Sequence, residues 1–142
     1  MSHVTLLAAD RPLPLYDPGA RRIRTVRFRQ RTFTMDQDGF SVQAHGYYRA
    51  AVDDLELPIK PFRYELNLQA TQQDAELLRD YLDKNLSPGE QVQVWNLWVG
   101  TVEEPYRAHH FSGALPDLQL DTLEQMEERY QTCLTIEKGT DH

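Results

Sequence analysis

The sequence is poor in cysteine, because its 142 residues include only Cys133. A single thiol cannot close an internal disulfide, so a disulfide-stapled secreted scaffold is excluded. The chain also lacks a positively charged leader followed by an apolar run. Together these absences predict a cytoplasmic protein.

Long hydrophobic runs are absent as well. The longest apolar stretches span a handful of residues, whereas a membrane-crossing helix needs roughly 20. The hydrophobic share of 40% is nevertheless enough to close one core. The sequence therefore predicts a single domain over residues 1–142 that does not enter a membrane.

Motifs for metal binding and catalysis are missing too. The chain has no HxH, HxxxH or HExxH spacing, and no GxSxG motif, phosphate loop or GxGxxG motif. The adjacent pair His109 and His110 falls in a predicted strand, where neighbouring side chains point to opposite faces and cannot grip one ion. We expect no metal site and no cofactor.

Hydrophobic periodicity from residue 62 onward predicts regular structure. Residues 62–68 alternate apolar and polar side chains as a half-buried strand does. Thr71 is a predicted N-cap for a helix that ends at Pro88-Gly89. Residues 92–99 are apolar on both parities near their end, which is typical of a strand covered on both faces. Further segments are a returning strand (106–115), a short helix (120–130) and a last strand (130–136).

This order of strand, helix, strand, strand, helix, strand predicts an α+β fold. We expect a ferredoxin-like split β-α-β sandwich over residues 62–138, with an N-terminal β-rich extension over residues 1–61. In that plan the second and third strands form a hairpin, and the last strand borders the first. Cys133 would then lie about 10 Å from either histidine of the pair, too far for a catalytic dyad, which favours an inert thiol.

The N-terminal extension carries weaker signals. Ile23–Phe28 and Phe33–Met35 read as extended segments, and a parity change between them predicts a bulge or a tight connection near Gln30. Residues 45–55 have the spacing of a short helix.

Charge is distributed unevenly along the chain. Residues 1–50 contain eight arginines and four aspartates, whereas residues 51–142 carry a net charge of −11. If residues 21–31 form a continuous strand, Arg27, Arg29 and Arg31 line one face as a basic ladder. Such a ladder binds phosphates, or it covers an edge strand and pairs with acidic groups of the same chain or of a partner protein. The net charge of −7 and pI near 5.1 favour pairing with protein, within the chain or at an interface, and argue against nucleic acid as a partner.

Trp95, Leu97 and Val99 share one face of the strand predicted at 92–99. If helices cover only the other face, this apolar patch is exposed and marks an interface. Alternatively, the first 60 residues fold across it and bury it. The sequence leaves both arrangements open.

The sequence does not establish a function. The leading hypothesis is a non-enzymatic interaction or assembly module that associates with itself, of which a structural component of a prophage particle is one version. A second hypothesis is an enzyme or small-ligand binder. Its pocket would lie between the extension and the sheet and would use Tyr47, Tyr48, His109 or His110 with Arg27 or Arg29. A third is nucleic-acid binding through residues 21–31.

Overall fold

The computed structural model describes residues 2–19, 21–46, 49–53, 57–99, 109–127 and 132–139. Within them the strands are β1 (Ser2–Ala9), β2 (Arg21–Phe28), β3 (Arg31–Asp38), β4 (Ser41–Ala44), β5 (Phe62–Asn67), β6 (Gln91–Val99), β7 (His109–Ala114) and β8 (Thr132–Glu137). The helices are α1 (Arg49–Asp53), α2 (Gln72–Asn85) and α3 (Leu120–Glu127), with a 3-10 turn over Leu115–Asp117. The predicted mixed α+β architecture is confirmed.

Helix α2 shows how local signals set an element. The Thr71 hydroxyl accepts a hydrogen bond from the Asp74 amide at 3.1 Å, which caps one of the unpaired amides at the helix start. Ala75, Leu78 and Leu82 follow at helical spacing and are buried against the sheet. The helix ends one residue before Leu86, where the backbone becomes extended.

The main sheet has six strands in the order β4-β5-β1-β6-β8-β7. Every neighbouring pair is antiparallel except β7 and β8, which run parallel. The predicted ferredoxin-like order is not confirmed, because β1 lies between β5 and β6, and β8 lies between β6 and β7. The predicted hairpin between residues 92–99 and 106–115 is therefore wrong, and so is the placement of the last strand beside the first.

The reason for this order lies in the composition of β1. Leu6, Leu7 and Ala8 are each 0% exposed, so β1 has apolar side chains on both faces. A strand of that kind belongs in the middle of a sheet that is covered on both sides. Residues 1–61 therefore do not form a separable extension of the sheet, because they supply one of its central strands and its β4 edge.

Two hydrophobic clusters lie on the two faces of the sheet. The larger one lies under α2 and α3 and contains Leu7, Val92, Val94, Leu134 and Ile136. The smaller one, on the opposite face, joins Leu6, Trp95, Leu97 and Cys133 to Val52 of α1, with Leu57 and Ile59 packed against it. The sheet is thus the middle layer of three.

Gln93 of β6 connects residues 57–60 to the sheet through hydrogen bonds. Its side-chain oxygen accepts hydrogen bonds from the Lys60 amide and the Trp95 indole, both at 2.9 Å. Its side-chain nitrogen donates to the Pro58 carbonyl at 3.4 Å. One side chain of β6 therefore anchors residues 57–60 across the face that carries Trp95.

β2 and β3 stand apart from the six-stranded sheet. They pair with each other as an antiparallel two-stranded sheet, from Arg21 opposite Asp38 to Phe28 opposite Arg31. We call residues 21–38 the hairpin arm. Eight residues per strand give the arm a length of about 26 Å.

Candidate interaction surfaces

The tip of the hairpin arm is a two-residue turn formed by Arg29 and Gln30. Both residues have positive φ angles, 48° and 66°, as a type I′ hairpin turn requires. Glycine or asparagine usually occupies such positions, because other side chains crowd the backbone there. The predicted tight connection near Gln30 is confirmed.

Because of this turn, the predicted arginine ladder is wrong. β2 ends at Phe28, and Arg31 opens β3 directly opposite it. Residues opposite each other in an antiparallel pair share a face, so Arg31 lies on the face of Phe28 and not on that of Arg27. Arg29 belongs to the turn, where its guanidinium lies 5.3 Å from the centre of the Phe28 ring.

The outer half of the arm therefore has two different faces. Phe28, Arg31 and Phe33 lie on one face, which we call the aromatic face. Thr25, Arg27, Thr32 and Thr34 lie on the other face, which is polar. All seven side chains are exposed, and the two phenylalanines remain 60% and 47% accessible. The arm thus presents aromatic rings beside guanidinium groups, the combination enriched in protein interfaces.

The Trp95 face is not an available surface. Trp95 and Leu97 are both 0% exposed, because Val52, Leu57 and Ile59 pack over them. Their prediction as interface residues is therefore wrong for the isolated chain. The alternative, that the first 60 residues fold across this face, describes what the structure shows. The side chain of Val99 lies outside the described residues.

Of the residues proposed for a ligand pocket, those that the structure describes do not meet at a described cavity. Tyr47 and Tyr48 lie outside the described residues, as does the side chain of His109. His110 is exposed on β7, and its ring lies edge-on to Trp95 with the centroids 6.0 Å apart. Arg27 and Arg29 belong to the hairpin arm, on a different sheet.

Cys133 and His110 are neighbours, contrary to the predicted distance of about 10 Å. β7 and β8 pair directly, and the two residues are partners in their register. The thiol is nevertheless buried, and this desolvation raises its pKa to about 11. A thiol with so high a pKa carries very little thiolate near neutral pH, so the pair does not form an activated nucleophile.

No protein-family model, curated protein or solved structure matches this chain. A candidate site therefore has to be argued from the geometry of the chain itself. Among the described residues, no helix combines the length and apolar composition that crossing a bilayer requires. The same residues hold no group of three or more His, Cys, Asp or Glu side chains placed to bind a metal ion.

The two edges of the main sheet differ in protection. On the outer side of β4, Tyr16 forms a bridge with Val42: its amide donates to the Val42 carbonyl at 3.0 Å, and the Val42 amide donates back at 2.7 Å. Beyond β7 the described ranges contain no further strand. β7 has the sequence HHFSGA, without the lysine or proline that commonly protects an edge.

A groove of about 270 Å³ runs along the helix side of the β7 edge. Phe111, Leu118, Leu134 and Ile136 supply its apolar lining. Asp117 lies at the groove, and Asp121 and Glu124 are exposed on the adjoining helix α3. Sequence reasoning missed this groove, because it exists only once β7 pairs with β8 and not with β6.

Proposed function

We propose that this chain is an assembly module that associates with itself through the hairpin arm. The observation that carries the proposal is the exposed aromatic face of the arm, with Phe28 and Phe33 beside Arg31. An isolated two-stranded hairpin is at best marginally stable in water, so an arm whose described outer half is exposed on both faces gains stability when another surface covers it.

Charge favours a second copy of the chain as the partner. Thr25 to Thr34 carries three arginines and no carboxylate, while residues 51–142 have a net charge of −11. The arm of one chain is therefore attracted to the body of another, and opposite charges of this kind accelerate and orient association. A subunit of a prophage particle is one setting in which such arm exchange serves assembly.

The test is sedimentation velocity over a series of chain concentrations at low and high salt. We expect the wild-type chain to form oligomers that weaken as salt screens the charges. Combining Arg27→Glu, Arg29→Glu and Arg31→Glu should leave it monomeric with an unchanged unfolding transition. Two single charge reversals form a matched pair. Arg31→Glu on the arm should weaken association, whereas Lys84→Glu on the exposed side of α2 should leave it unchanged.

Two results would count against self-association. A wild-type chain that stays monomeric at high concentration and low salt removes the proposal. If that monomer instead binds a labelled oligonucleotide with an affinity that falls steeply with salt, the nucleic-acid alternative replaces it. Binding of an oligonucleotide that the triple variant loses would place that contact on the arm.

A further inference from the structure

Among the described strands, two sets of edges have no strand paired to them, and the two sets differ in chemistry. The outer edge of β7 offers backbone groups along six residues, of which His110, Ser112, Gly113 and Ala114 are exposed. β2 and β3 each have one edge that no described strand pairs. Unpaired edges of this kind are templates for strand addition from another chain.

The aromatic face of the arm matches the groove beside β7. When strands add to a sheet, their side chains continue the two faces of that sheet. Placed with its aromatic face on the helix side, the arm brings Phe28 and Phe33 to the apolar groove lined by Phe111 and Leu118. The polar face, with Arg27, then lies on the opposite side of the extended sheet.

The same orientation pairs opposite charges. Arg31 shares the aromatic face, so it reaches the helix side together with the phenylalanines. There it meets Asp117 at the groove and the exposed carboxylates of Asp121 and Glu124. With the aromatic face turned the other way, Arg31 would be carried away from these three carboxylates. That orientation would bring Arg27 of the polar face to the helix side instead, so charge alone does not select an orientation; the apolar groove does, because the two phenylalanines reach it only with the aromatic face on the helix side.

We propose that the hairpin arm of a second copy adds to the outer edge of β7 and inserts its aromatic face into the groove between β7 and α3. This inference rests on the proposed self-association and names the acceptor surface. It turns a six-stranded sheet and a two-stranded sheet into one eight-stranded sheet shared by two chains. The exposed aromatic rings and the unprotected edge are then covered in the same step.

Gly113→Lys tests the acceptor surface. A Cβ built on Gly113 meets no atom within 4 Å, so the folded chain accommodates a side chain there. The lysine occupies the groove and repels the arginines of the arm, and we expect the dissociation constant for self-association to rise at least about tenfold. Gln43→Lys places the same charge on the bridged β4 edge and should leave association unchanged.

A mixing experiment then identifies the two partners. The triple arm variant retains an intact β7 edge, and the Gly113→Lys variant retains an intact arm. Each alone should be monomeric, whereas an equimolar mixture should form a heterodimer through the one intact junction. Arm-to-arm association predicts no recovery in the mixture.

The outcomes separate the two proposals. If Gly113→Lys assembles like the wild type while the triple arm variant is monomeric, the β7 acceptor is wrong and arm-mediated association stands. If the triple arm variant assembles like the wild type, the arm is not the contact and both proposals fail. Weakening by Gln43→Lys equal to that by Gly113→Lys would also overturn the β7 assignment.

Discussion

The two sheets of this protein differ in what covers them. In the main sheet, Leu6 and Leu7 face opposite sides of β1, and both are fully buried between layers of the same chain. In the hairpin arm, Phe28 and Phe33 are largely accessible, and the other face carries threonine and arginine. The body therefore obtains its stability from burial within its own chain, whereas the described side chains of the outer half of the arm lack the apolar cover that a two-stranded sheet needs. Because of this contrast, the proposed function is assigned to the arm.

Truncating one aromatic residue in each sheet would sharpen this contrast. Trp95→Ala removes the largest fully buried side chain among the described residues and should lower the free energy of unfolding by about 3–5 kcal/mol. Phe28→Ala removes an exposed ring and should change that free energy by less than about 0.5 kcal/mol. Urea unfolding at concentrations that keep the chain monomeric measures both. Comparable losses in the two variants would mean that the arm is part of the cooperative core.

The dependence of stability on acid pH is a second property in which the body and the arm should differ. In the body, the guanidinium of Arg11 binds both carboxylate oxygens of Glu90 at 2.7 Å, and the Ser87 amide donates to the same carboxylate. These hydrogen bonds lower the pKa of Glu90 from 4.5 to about 2, with the Arg11 contact the largest cause. A lowered pKa stabilises the fold above pH 4.5, and this contribution disappears as the pH falls from 4.5 towards 2.

We therefore expect the Glu90→Gln variant to be less stable than the wild type near neutral pH and to depend less on pH in that window. Urea unfolding at several pH values from 6 downward measures the difference between the two chains. Within the intact chain, the tip of the arm offers the control, because residues 25–34 contain no carboxylate. Parallel pH profiles for variant and wild type would show that the Arg11–Glu90 pair contributes nothing.

The last prediction concerns the turn of the arm. Gln30 has a φ of 66°, which glycine adopts without crowding, so Gln30→Gly should stabilise the hairpin by about 1 kcal/mol. Hydrogen exchange of the β2–β3 amides should slow by a factor of about five, while global unfolding stays the same. Gln30→Ala, which retains a Cβ, should bring no such protection. A matching rise in global stability would show that the arm and the body unfold together.

Local sequence patterns predicted the individual elements of the body well. The alternation from Phe62 corresponds to β5, Thr71 caps α2, and the last strand appears as β8. Residues 45–55 contain a helix, although α1 covers only Arg49–Asp53. These features depend on neighbours within one or two turns of the chain, which is the range that periodicity and capping report.

Such local patterns could not predict the order of the strands in the sheet. Alternation shows which face of a strand is buried, but it does not show which strand lies beside it. The pairing of Val4 with Leu97 joins residues about ninety positions apart, and no local signal encodes it. The candidate site was predicted in the same partial way: arginine density pointed to the arm, yet the turn at Arg29 and Gln30 reassigned its faces. The acceptor groove depended on the unpredicted pairing of β7 with β8.

The central position of β1 has a consequence for synthesis. Its partner β6 leaves the ribosome about ninety residues later, which at 5–20 residues per second is a delay of roughly 5 to 20 seconds. During that time the β6-facing edge of the apolar segment Leu6–Ala9 stays unpaired, and its other edge stays unpaired until β5 has left the ribosome. This central strand thus completes its pairing late, and its protection in the meantime depends on how the cell shields it until β6 emerges.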